Sequence, residues 1–119
     1  MITQYAAAAL VNECQVLAHP AGAGSIPTSA GQEDFNSMGA LAALKARTVV
    51  ENAAHVIATE LVCAVQGLEF HRPLRSTESL EDAARRVREI VPRVEEDRSL
   101  ARELAALAGA LRSGELVLA

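Results

Sequence analysis

The residues best able to do chemistry fall in one polar, turn-rich stretch, 25–38, reading Ser25-Ile26-Pro27-Thr28-Ser29-Ala30-Gly31-Gln32-Glu33-Asp34-Phe35-Asn36-Ser37-Met38. Gln32, Glu33 and Asp34 crowd an amide and two carboxylates together. A loop exposes such polar groups where burial in a packed core would be costly, a common scaffold for a site. Pro27 fixes its own φ and pushes Ile26 towards extended geometry, while Gly31 can take φ > 0 without steric cost. The backbone is therefore expected to be rigid and sharply turned. The same spacing has a second reading. Asn36 or Ser37 can cap a following helix, and Glu33 and Asp34 then lie near its positive end, where each carboxylate gains roughly 0.3–1 kcal/mol. On residue types alone both readings stand.

Two apolar segments must position this loop. Residues 1–17 carry Tyr5, the alanine run 6–9, Leu10, Val11, Val16 and Leu17, with no charge before Glu13, which predicts a helix apolar all round and hence buried. His19-Pro20 ends it, and His19 lacks a Ser, Cys or Asp at triad spacing, so it reads as a loop histidine. From about 37 to 68 there is no proline, which predicts one helix of about 45 Å at ~1.5 Å per residue. Leu41, Leu44, Val49, Ala53, Val56, Ile57, Leu61, Ala64, Val65 and Leu68 form its apolar stripe; Lys45, Arg47, Glu51, Asn52, His55 and Thr59 form its polar face. Glu60 lies near the stripe and is expected to pair with a cation on another helix.

His71-Arg72-Pro73 then breaks the chain. Ser76, Thr77 or Ser79 can cap a helix from about Leu80 to Val91, and Glu95-Glu96-Asp97 is expected to open another, capped by Asp97 or Ser99 and closed at Ser113-Gly114. The expectation is an all-α, long-helix bundle. Residues 1–119 form a single helical segment made of the loop 25–38, the long helix about 37–68 and C-terminal helices about 80–112.

Of 119 residues half are hydrophobic but only three are aromatic, so apolar surface is spread along alanine-rich helices. Surface of that kind is expected to be covered by other subunits or by further parts of the protein. A net charge of −4 and a pI near 5.3 argue against a nucleic-acid partner. No stretch reads as eighteen uncharged apolar residues, so the expectation is a soluble, cytoplasmic protein without a membrane span. Cys14 and Cys63 belong to no metal-ligand spacing and are expected to be reduced core residues, with no metal site.

The runs Leu10-Val11-Asn12-Glu13, Val16-Leu17-Ala18-His19-Pro20-Ala21, Ser25-Ile26-Pro27-Thr28-Ser29-Ala30, Gln32-Glu33-Asp34 and Ser37-Met38-Gly39 resemble the C-terminal part of the histidine ammonia-lyases. These belong to the aromatic amino acid lyases, which use a methylidene-imidazolone electrophile and include phenylalanine and tyrosine enzymes and some aminomutases. The likeness continues through Lys45-Ala46-Arg47, Val49-Val50-Glu51-Asn52, Val91-Pro92, Glu95-Glu96-Asp97-Arg98 and Leu111-Arg112-Ser113-Gly114.

The resemblance implies substrate binding by Glu33, with Gln32 beside it. The position of Glu33 is a carboxylate in the histidine enzymes and an amide in the phenylalanine and tyrosine enzymes, which fits a carboxylate accepting an imidazole N–H. Phe35-Asn36 departs from the His-Val of the bacterial histidine enzymes, and Asn36-Ser37 is closer to the plant phenylalanine enzymes. The resemblance also implies elimination of ammonia from L-histidine to give trans-urocanate, a homotetramer with sites built from more than one subunit, and a prosthetic group formed from consecutive Ala-Ser-Gly. No Ala-Ser-Gly occurs here, and Ser29-Ala30-Gly31 has another order. The chain alone is therefore expected to be inactive, with the rest of the lyase and other subunits as partners. Alternatives are a portion of a phenylalanine or tyrosine lyase or an aminomutase, or a non-enzymatic helical interaction module.

Overall fold

A computed structural model describes residues 2–116. It contains four helices, α1 (Ile2–Leu17), α2 (Gly39–Glu69), α3 (Glu78–Ile90) and α4 (Ala101–Ser113), with two short 3₁₀ turns, Ala21–Gly24 and Ser29–Gly31, between α1 and α2. Among the described residues the only β pairing is one isolated antiparallel bridge, Thr28 to Glu33. The fold is all-α, as expected.

Helix α2 is the spine. With no proline in its 31 residues it runs unbroken for about 46 Å. Helix α1 lies antiparallel along it: Asn52 Nδ2 donates to Glu13 Oε2 at 2.8 Å, and further back along α2 the Lys45 ammonium donates to the His19 carbonyl. The chain from 94 to 112 returns along another side, since Gln66 Nε2 reaches the Val94 carbonyl at 3.1 Å and Arg112 approaches Glu51 at 3.8 Å.

The core is one-sided. Ala54, Ala58, Val62 and Val65 of α2 meet Ala84 and Val87 of α3, Val91, and Leu107, Ala108 and Ala110 of α4; Leu107, Val87 and Val91 are the largest fully buried side chains. Small residues on α2 let the partner helices approach closely, so most bulk comes from α3 and α4. Away from this core the apolar stripe is uncovered, with Leu41 55%, Leu44 58% and Ile57 47% exposed. The radius of gyration, 19.8 Å, exceeds the roughly 14 Å of a compact chain this long. The accessible surface of 8486 Å² likewise exceeds the roughly 6,200 Å² of a compact 12.5 kDa protein.

Several expectations are corrected by that shape. Helix α1 buries no residue, because α2 is its only helical neighbour. Asn52 and Thr59, read as part of the polar face, are buried; Asn52 binds Glu13, and Thr59 Oγ1 donates to the His55 carbonyl at 2.9 Å. Cys63 is exposed and Cys14 half-buried, so neither is a fully buried core thiol. Glu60 is exposed, with no ion pair among the described residues. Glu95, Glu96 and Asp97 precede α4 without starting it; the helix opens after Leu100, where Glu103 pairs with Arg98. Helix α2 also contains an eighteen-residue window of mean hydropathy 1.3, long and apolar enough to cross a membrane by composition, although a third of that window is buried here. A helix packed among other helices has the same composition.

The irregular segment after α3 is fixed by polar groups. Gln66 Oε1 accepts from Arg88 NH2 at 2.9 Å and from the Val94 amide at 3.2 Å, while Glu69 binds Arg88 at 2.8 Å and Arg93 at 3.3 Å. Arg88 also donates to the Val91 carbonyl. This clamp ties residues 91–94 to the end of α2.

Leu107→Ala is expected to destabilise the fold by about 2–5 kcal/mol, because it opens a void between α2 and α4. Ile2→Ala, on an exposed side chain, is expected to cost less than about 0.5 kcal/mol. Urea unfolding followed by circular dichroism measures both; equal effects would show that the core is not where α4 meets α2.

Candidate functional site

The loop between α1 and α2 closes on itself. Thr28 N–H donates to the Glu33 carbonyl at 2.9 Å and Glu33 N–H to the Thr28 carbonyl at 3.3 Å, a minimal antiparallel pairing around the turn 29–32. Asn36 draws the two arms together. Its amide N–H donates to Ser25 Oγ at 2.6 Å, and its side-chain Nδ2 donates to the Ile26 carbonyl at 2.7 Å and to Thr28 Oγ1 at 3.3 Å. At the base of the loop, a Cβ added to Gly22 would stand 3.2 Å from the Ser37 carbonyl oxygen, so the close approach of 22 to 37 favours glycine.

The turn is conformationally costly. Ser29 (φ 53°), Ala30 (φ 57°) and Gly31 (φ 87°) all lie in the left-handed region, as does Met38 (φ 51°) just before α2. Glycine takes that conformation freely, but each of the other three sacrifices roughly 1–2 kcal/mol. Such strain persists only where surrounding contacts over-determine it, and it clusters at functional sites.

Within this frame Glu33 is exposed and its Oε2 accepts the Thr28 hydroxyl at 3.0 Å; Gln32 and Asp34 are also exposed. The helix-capping reading of these acids does not hold. Helix α2 has no acid in its first turn, its N-cap is Met38, and no side chain caps it. Asn36 is spent on the loop, where it clips Ile26 and Thr28. Sequence reasoning missed that role, and it gave Thr28 none; the available signal was a hydroxyl and an amide flanking a Pro27 bend.

Two concavities among the described residues both lie away from Glu33. One, of about 370 Å³, lies where α2 meets α3 and is lined by Glu69, Arg72, Arg75, Glu78, Glu81, Asp82, Arg85 and Arg88 with Val65 and Ala84. Most of its charges are paired. Arg72 binds Glu81 at 2.8 Å, Arg85 binds Asp82 and Glu89, and Arg88 binds Glu69. The Arg72 guanidinium, helped by the Ser76 amide, holds the Glu81 carboxyl down at about 2. Arg85 and then Arg86 likewise lower Asp82. A groove in which Arg72, Arg85 and Arg88 are already engaged reads as a structural ion-pair network.

A family model described as aromatic amino acid lyase matches residues 1–89, three-quarters of the chain. The chain belongs to the aromatic amino acid lyase family. It is similar to the histidine ammonia-lyases of Symbiobacterium thermophilum, 52% identical over all 119 residues, and Anaeromyxobacter dehalogenans, 50% identical over 118, covering 24% and 23% of those proteins. The crystal structure of histidine ammonia-lyase from Trypanosoma cruzi superposes with a TM-score of 0.91 at 48% identity, over 98% of this chain and 23% of that one. The chain thus spans about a quarter of the length of the lyases it matches. Residues 1–119 contain no consecutive Ala-Ser-Gly, and Ser29-Ala30-Gly31 is taken up in the left-handed turn.

The ion-pair groove makes a pH-dependent prediction. Glu81 titrates at about 2 in the fold against 4.5 when free, so its contribution is present above about pH 4.5 and is lost as the pH falls from there through about 2. NMR titration of the Glu81 carboxyl is expected to give a midpoint near 2, and Arg72→Met to return it towards 4.5. A midpoint near 4.5 in the unsubstituted chain would mean that the Arg72–Glu81 pair does not form in solution.

Proposed function

We propose that this chain acts as the C-terminal portion of a histidine ammonia-lyase, contributing to the elimination of ammonia from L-histidine to give trans-urocanate. Glu33 is the substrate-binding acid, with Gln32 beside it. The methylidene-imidazolone group is supplied by an Ala-Ser-Gly outside residues 1–119, and the working enzyme is a cytoplasmic homotetramer whose sites draw on more than one subunit.

The observation that carries this reading is the carboxylate at 33, on a locked and exposed loop, in a chain about half identical to histidine ammonia-lyases along its length. A carboxylate facing an imidazole N–H makes a charge-assisted hydrogen bond; facing an unsubstituted benzene ring it would have no donor to satisfy it. The uncovered stripe of α1 and α2 supports the oligomer, since Tyr5, Val16, Leu41 and Leu44 are too exposed for a finished surface. Because Glu33 lines neither concavity, the remainder of its pocket comes from other parts of the enzyme.

In the assembled lyase Glu33→Gln is expected to lower kcat/KM for histidine at least tenfold, as loss of a charge-assisted bond is worth roughly 1.5–3 kcal/mol. Steady-state release of urocanate measures it. Unchanged histidine kinetics, or a native preference for phenylalanine or tyrosine, would remove Glu33 as the specificity residue.

A further inference from the structure

We infer that Thr28 and Asn36 are positioning residues for Glu33: their hydrogen-bond chain ties up one carboxylate oxygen and leaves the other as a directed acceptor for the substrate. This rests on the reading of Glu33 as the substrate-binding acid.

The direction of the chain follows from donor and acceptor counting. The Ile26 carbonyl can only accept, so the Asn36 group 2.7 Å from it is the NH₂ end. That end has two N–H groups, and its second donor reaches Thr28 Oγ1 at 3.3 Å. The Thr28 hydroxyl owns one proton. With Asn36 on its acceptor side, that proton goes to Glu33 Oε2, 3.0 Å away. The backbone pairing of Thr28 with Glu33 places both side chains on the same face, so the contact needs no unusual rotamer. Glu33 Oε1 has no partner among the described residues.

The same counting explains why an amide at 33 would be no substitute. Thr28, forced to donate, would hold the Gln oxygen and present its NH₂ outward. The free end would then change from acceptor to donor. Asn36, by occupying the acceptor side of the Thr28 hydroxyl, thus sets which kind of group position 33 offers.

The test is steady-state kinetics on histidine in the assembled lyase, with circular dichroism confirming helix content. Thr28→Val and Asn36→Ala are each expected to lower kcat/KM about three- to tenfold, while Thr28→Ser, which keeps the hydroxyl, stays within about twofold. In a Glu33→Gln background, Thr28→Val is expected to add less than about twofold, since both changes remove one arrangement. If Glu33→Gln has no effect, the reading of Glu33 fails and the inference fails with it. If Glu33→Gln is costly but Thr28→Val and Asn36→Ala are neutral, Glu33 stands and the positioning role is overturned. Loss in Thr28→Ser as large as in Thr28→Val, or full additivity with Glu33→Gln, would overturn it too.

Discussion

An apolar rod of 31 residues has to be covered along its sides, and this chain covers only part of it. Every other feature of the fold answers to that constraint. Helix α4 and the end of α3 bury Ala54, Ala58, Val62 and Val65, while Leu41, Leu44 and Val50 keep an open flank. Because hydrophobic burial is the main favourable contribution to folding, the uncovered flank is where further burial would add stability. The elongated dimensions, 71 by 29 by 21 Å, express the same fact as geometry.

The helices were legible because their signals are local. The proline-free span read as 37–68 is α2, Gly39–Glu69, and Gly114 closes α4 with φ 76°, as a glycine after a helix should. What the sequence hid depends on which neighbour is present. Asn52 and Thr59 look like solvent-facing residues until Glu13 of α1 and the His55 carbonyl satisfy them. Cys63 looks like a core residue because its neighbours are apolar, yet it faces away from the stripe that α4 covers. Glu95, Glu96 and Asp97 look like a helix start, but Arg98 pairs forward to Glu103 and donates to the Pro92 carbonyl, which holds the chain open until Leu100.

The loop was legible in part. Pro27 and Gly31 announced a tight bend. The hydrogen bonds that take Asn36 out of the capping role span eight to eleven residues, back to Ser25, Ile26 and Thr28. Periodicity cannot register a clip of that kind, because it joins two irregular arms and leaves no repeating pattern. The ion-paired clamp of Gln66, Glu69 and Arg88 escaped for a similar reason: its members lie some twenty residues apart and meet only once α3 has turned back on α2.

The left-handed turn at Ser29 and Ala30 has a chemical corollary. Two consecutive L-residues sit where the mirror-image amino acid would rest without strain, and neither side chain takes part in the hydrogen bonds that shape the loop. A semisynthetic chain carrying D-alanine at 30 would hold the same bend with its steric opposition removed. The handedness of a single α-carbon would then set how tightly the acid beside it is held.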